Sequence, residues 1–159
     1  MMSILALGWH VQLHWTAEQI VSHESLLKSL GCPMVFDHFA RIPALNFRSH
    51  PAFDIVSALL SERRAWVKLS GAHLATGHSD DSSYADLRPL ARALIACAPT
   101  RMLWGSDWPH TTEEVPKPND ASLFELLGHW AGSNEQLRQI LVTNPAELYG
   151  FADSVPTGP

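Results

Sequence analysis

Met102-Leu103-Trp104-Gly105-Ser106-Asp107-Trp108-Pro109-His110 is the stretch whose reading decides the fold. Met102, Leu103 and Trp104 are an unbroken apolar run, as in a strand covered on both faces. Gly105 and Ser106 let the backbone turn, and Asp107 follows where the strand stops. A carboxylate at the carboxyl end of a buried parallel strand stands where α/β proteins place their chemistry. A carboxylate in that position can also do no more than cap a turn.

The same arrangement recurs upstream. Met34, Val35 and Phe36 are continuously apolar, and Asp37 and His38 follow them. Imidazole at a strand end serves as metal ligand, as acid–base group or as a structural hydrogen-bonding group. Trp9–Trp15 alternates, with Val11, Leu13 and Trp15 on one face and His10, Gln12 and His14 on the other. A polar face suits a strand lining a barrel mouth, and equally a solvated one. In Ala65–Gly71, Val67 and Leu69 face one way and Lys68 and Ser70 the other. Lys68 there can bind an anionic substrate or pair with a carboxylate.

Helical patterns separate these runs. Thr16 and Gln19 form a capping box ahead of Ile20, Leu27 and Leu30, which predicts one helix ended by Gly31. His23 falls on its outer face without a visible role. Pro51 opens a helix striped by Phe53, Val56, Leu59 and Leu60. Tyr84, Leu87, Leu90, Leu94 and Ile95 mark another, with Pro89 near its first turn. Further helices are predicted at Leu123–Trp130, after Ser133 with Gln136 as its cap partner, and from Asn144-Pro145 to Gly150. The loop 73–83, rich in Gly, Ser, Asp and His, has the length of a lid. Within it His73, His78 and Asp80 form either a metal cluster or a wet surface. Residues 1–152 read as one domain and 153–159 as a flexible tail.

Composition narrows the function. Of 159 residues, 46% are hydrophobic and 17% charged, which describes a globular chain. A net charge of −5 with 11 Lys+Arg argues against nucleic acid as a partner, and no apolar run reaches the length of a membrane span. Cys32 and Cys97 are isolated among apolar neighbours, as are reduced thiols of a cytoplasmic protein. Neither a Gly-rich phosphate loop nor a Gly-x-Ser-x-Gly elbow is present. Alternating strands and helices with polar groups at successive strand ends predict an α/β fold with a parallel sheet, of the TIM-barrel kind.

Four motifs sharpen this: Phe36-Asp37-His38-Phe39-Ala40-Arg41, Trp66-Val67-Lys68-Leu69-Ser70-Gly71, Leu103–His110, and Thr143-Asn144-Pro145-Ala146-Glu147-Leu148-Tyr149-Gly150-Phe151. Together they resemble the amidohydrolase-related family, in particular its branch of 2-pyrone-4,6-dicarboxylate lactonase and sugar lactonases. The resemblance implies a TIM-barrel hydrolase. His38 matches the family's histidine at the end of the fifth strand, and Asp107 its aspartate at the end of the last. Arg41 matches an arginine that grips a substrate carboxylate. Gln12, His14, Lys68 and His110 complete the expected substrate site. The implied cofactor is a divalent metal, zinc or manganese, at His38 and Asp107, although the branch includes members that work without one.

The chain also departs from the family. No strand bearing the family's opening His-x-His precedes His10. A barrel of this class takes roughly 250 residues. The expectation is therefore the carboxyl-terminal part of a barrel, with the amino-terminal strands missing, self-associating through uncovered sheet edges and inactive alone. One clear strand lies between His38 and Asp107 where the family count wants two, which predicts a short or irregular strand there. Leu74 replaces a second substrate arginine of the pyrone-dicarboxylate enzyme, which argues against a dicarboxylate substrate. Lactone hydrolysis leads; a metal-dependent decarboxylase of the same fold and a non-enzymatic fragment are the alternatives.

Overall fold

A computed structural model describes residues 4–77, 84–112 and 117–151. Strands β1 (Val11–Leu13), β2 (Met34–Phe36), β3 (Ala65–Leu69) and β4 (Met102–Trp104) pair in parallel in sequence order. Helices α1 (Ala17–Ser22) and α2 (Glu24–Ser29) join β1 to β2, and α3 (Pro51–Ser61) joins β2 to β3. Short α4 (Ala72–Ala75) and longer α5 (Leu87–Cys97) join β3 to β4. After β4 come α6 (Asp120–Ala131), α7 (Asn134–Arg138), a π-turn at Gln139–Thr143, and α8 (Asn144–Tyr149). This is the α/β architecture expected of part of a TIM barrel. No helix among the described residues is long and apolar enough to cross a membrane.

Alternation along the strands gives the sheet two unlike faces. Met34, Phe36, Val67, Leu69 and Met102 join the helices in the main core. The other face holds a small cluster of Val35, Trp66 and Leu103, against which Leu148 packs. Arg101 covers that cluster, its guanidinium 4.3 Å from the Trp66 ring centre and 2.9 Å from Glu147. In the pairing register Gln12 stands beside Val35, and Lys68 beside Leu103. The same face therefore turns polar toward its carboxyl end.

Several expectations are corrected. β2 pairs directly with β3 and β3 with β4, so among the described residues no strand lies between His38 and Asp107 other than β3. β1 is shorter than Trp9–Trp15. The first helix is two, broken at His23, whose φ is −113° and ψ 23°. His23 Nδ1 lies 2.9 Å from the Gln19 carbonyl, which also accepts the His23 backbone N–H at 3.0 Å. Leu30 caps the second piece in extended conformation, and Gly31 follows just past its end as expected. The Thr16–Gln19 capping box forms as read. His78, Asp80 and the tail at 153–159 fall outside the described residues.

Asn144 begins α8 but caps nothing. It is fully buried, and its Nδ2 donates to the carbonyls of Pro99 at 3.1 Å and Met102 at 2.6 Å. It thus ties the last helix to the start of β4. Asn144→Ala strips two acceptors of a buried donor and is expected to cost about 1–3 kcal/mol. Urea denaturation measures this; a loss below about 0.5 kcal/mol, the ordinary surface value, would remove Asn144 from that role.

Candidate active site

The polar end of the concave face opens into a cavity of about 420 Å³. Gln12, His14, Asp37, His38, Lys68, Ser70, Trp104, Gly105, Asp107 and Tyr149 line it. Every strand contributes, because each gives up its last or following residues to the same end of a parallel sheet.

His38 reaches this cavity by an unusual backbone path. His38, Phe39, Ala40 and Arg41 have φ values of 52°, 56°, 56° and 47°, so four consecutive residues are left-handed. Such conformations cost L-residues roughly 1–2 kcal/mol each. Burial offsets the cost: Phe39 is fully buried, and its ring stands edge-on to Trp130 at 5.2 Å. Strain held in this way by surrounding packing is characteristic of functional sites. Asp107 is left-handed too, at φ 70°, and its carbonyl accepts from His110 N at 2.8 Å.

The His38 ring is fixed on both sides. Nδ1 lies 3.0 Å from Ser70 Oγ, and Nε2 lies 3.6 Å from Asp107 Oδ1. The His14 ring stands edge-on to it at 4.7 Å. Burial lowers the His38 pKa below the ordinary imidazole value, with His14 and Lys68 acting in the same direction. Asp107 and Asp37 oppose the shift without overcoming it. His38 is therefore held as the neutral ring at neutral pH.

Asp37 balances Lys68. Lys68 Nζ lies 2.9 Å from Asp37 Oδ1, and Gln12 Nε2 donates to Oδ1 at 2.9 Å and Oδ2 at 3.1 Å. Of the two roles open to Lys68, the structure displays the carboxylate pair. On the far side of Asp107, Oδ2 lies 3.6 Å from His73 Nε2. The His73 ring is edge-on to His110 at 5.7 Å, and His110 Nε2 bonds Asp120 Oδ1 at 3.0 Å.

Of the residues singled out from the sequence, Gln12, His14, His38, Lys68 and Asp107 meet at the cavity. Arg41 and His110 do not line it. Arg41 is the last residue of the left-handed turn, at φ 47°. Sequence reasoning missed Ser70, Trp104, Tyr149 and the Asp37 pair. Ser70 and Asp37 were visible as polar residues at strand ends; nothing in the sequence brings Tyr149 to a strand end.

Two groups of side chains have donor atoms close enough for a cation: His14, Asp37 and His38, and His73, Asp107 and His110. The first fits a metal poorly. Lys68 already holds Asp37 with a full positive charge at 2.9 Å, which repels a second cation.

Parallel strands that gather imidazoles and carboxylates at one end are the arrangement in which barrels of the α/β class place their chemistry. The chain belongs to the amidohydrolase family, whose sequence pattern matches residues 4–151. It is 41% identical over 146 residues to a 4-sulfomuconolactone hydrolase of Hydrogenophaga intermedia, covering 91% of this chain and 48% of that protein. Over 153 residues it is 29% identical to a 2-pyrone-4,6-dicarboxylate hydrolase of Comamonas testosteroni, covering 92% of this chain and 50% of that one. A crystal structure from Agrobacterium tumefaciens superposes with a TM-score of 0.82 at 27% identity, over 94% of this chain and 53% of that chain. The chain thus spans about half the length of the relatives it matches.

Proposed function

We propose that this chain supplies the water-activating half of a lactone hydrolase. The observation that carries the reading is the facing of His38 Nε2 and Asp107 Oδ1 across 3.6 Å at the cavity wall. That separation is too long for a hydrogen bond. Both atoms can therefore contact a third atom, about 3 Å from each, as a reacting oxygen must be.

The roles follow from protonation states. With the Ser70 hydroxyl as hydrogen-bond donor to His38 Nδ1, the ring proton stays on Nε2. Nε2–H then points where negative charge develops on the opening carbonyl. Asp107 accepts a proton from the attacking water. Trp104 and Tyr149 supply flat walls, and Gln12 with the Lys68–Asp37 pair presents a polar floor. These suit a small lactone bearing hydroxyls or an anionic group. The names of the relatives, which act on a sulfonated lactone and a pyrone dicarboxylate, support the same class. No step here requires a metal at His38.

The remaining wall would be supplied at the β1 and β4 edges, and the chain without it is expected to turn over little. The test joins this chain to the amino-terminal half of the Hydrogenophaga relative. A folded chimera that hydrolyses 4-sulfomuconolactone well above the isolated halves supports the reading. A chimera that melts cooperatively yet hydrolyses neither that lactone nor any of a sugar- and carboxylated-lactone panel overturns it.

A further inference from the structure

We infer that His73, Asp107 and His110 form a divalent-metal site of the zinc type, on the side of Asp107 turned away from His38. The ligand atoms of the three residues lie within 4.8 Å of one another. Two imidazole nitrogens and one carboxylate oxygen are a zinc donor set that leaves a coordination position open.

His110 carries the argument. It is 2% exposed, and its Nε2 bonds the Asp120 carboxylate at 3.0 Å. A carboxylate only accepts, so Nε2 holds the ring proton and Nδ1 presents a lone pair. That Nδ1 is buried and has no hydrogen-bond partner among the described residues. A buried acceptor left unmade is a standing cost in a fold, and one that a cation removes. Carboxylate behind the far nitrogen of an imidazole is also the arrangement that orients and strengthens metal-bound histidine. In this site Asp120 fills that place.

Distances agree. Metal–ligand bonds of about 2.0–2.2 Å place neighbouring tetrahedral ligands roughly 3.3–3.6 Å apart. His73 Nε2 and Asp107 Oδ2 are already 3.6 Å apart. The other oxygen of Asp107 remains on the His38 side.

The site is tested on the whole chain by binding, not turnover, so its failure is separable from failure of the lactone reading. Chelator-treated protein is titrated with Zn²⁺ by calorimetry and with Co²⁺ by visible absorption. About one ion per chain is expected, with the intense visible bands of tetrahedral cobalt. His73→Ala should abolish the bands. Asp120→Asn, at a half-exposed position whose carboxylate bonds His110, should weaken affinity about 10–100-fold. His14→Ala, in the other cluster, should leave affinity unchanged. Circular dichroism confirms that each variant is folded, and Asp120→Asn keeps the test alive if His73→Ala is not. Absence of binding by the wild-type chain overturns the inference. So does full affinity in Asp120→Asn, or loss in His14→Ala with retention in His73→Ala.

Discussion

Asp107→Asn is expected to lower kcat of the completed barrel about 10²–10⁴-fold, the range general-base help supplies, while KM stays within a few-fold. The amide has the shape of the carboxylate and can still fill its place opposite His38. What it loses is the ability to take a proton. An interaction made only as the water attacks shows in kcat and kcat/KM together, whereas a lost ground-state contact shows in KM. A chimera whose KM rises while kcat holds would make Asp107 a substrate-binding residue and sink the base assignment. The geometry favours the base: Asp107 has one oxygen toward His38 and lines the cavity. Asp37, by contrast, is already neutralised by Lys68.

Much of this site was legible in the sequence because a parallel sheet makes strand ends converge. Once Met34–Phe36 and Met102–Trp104 were read as buried strands, Asp37, His38 and Asp107 had to share one end. Strand alternation likewise put Gln12 and Lys68 on one face. What the sequence could not convey was backbone handedness. Phe36–Arg41 contains no glycine, so nothing announced four left-handed residues, and Arg41, placed at the mouth by analogy, is not among the residues that line the cavity. His73 was grouped with its loop neighbours His78 and Asp80, because sequence proximity was the available measure. The structure instead sets His73 against Asp107, 34 positions on by their residue numbers. Asn144 looked like a helix cap and became a buried tie to β4, since its role depends on where the Pro99 and Met102 carbonyls lie.

Gly71→Ala is expected to destabilise the chain by about 2–5 kcal/mol and to abolish whatever turnover depends on His38. Two costs add. Gly71 has φ 57°, a left-handed conformation that charges an alanine roughly 1–2 kcal/mol. A Cβ there would also fall on the His38 ring, 2.8 Å from its Cγ and closer still to Nδ1. Overpacking of that kind typically costs about 1–3 kcal/mol, and here the group displaced is the imbedded face of the ring that bonds Ser70. The ring cannot retreat freely, since His14 stands edge-on behind it and its own backbone is held left-handed by the burial of Phe39. Gly132→Ala separates the two terms. Gly132 has φ 75° at the end of α6, with nothing within 4 Å of a Cβ, so it carries the backbone cost alone, about 1 kcal/mol. Urea denaturation of both variants should therefore show Gly71→Ala clearly the worse. Equal losses would mean that His38 yields to the methyl group without strain, and that its position at the mouth is not fixed by β3 at all.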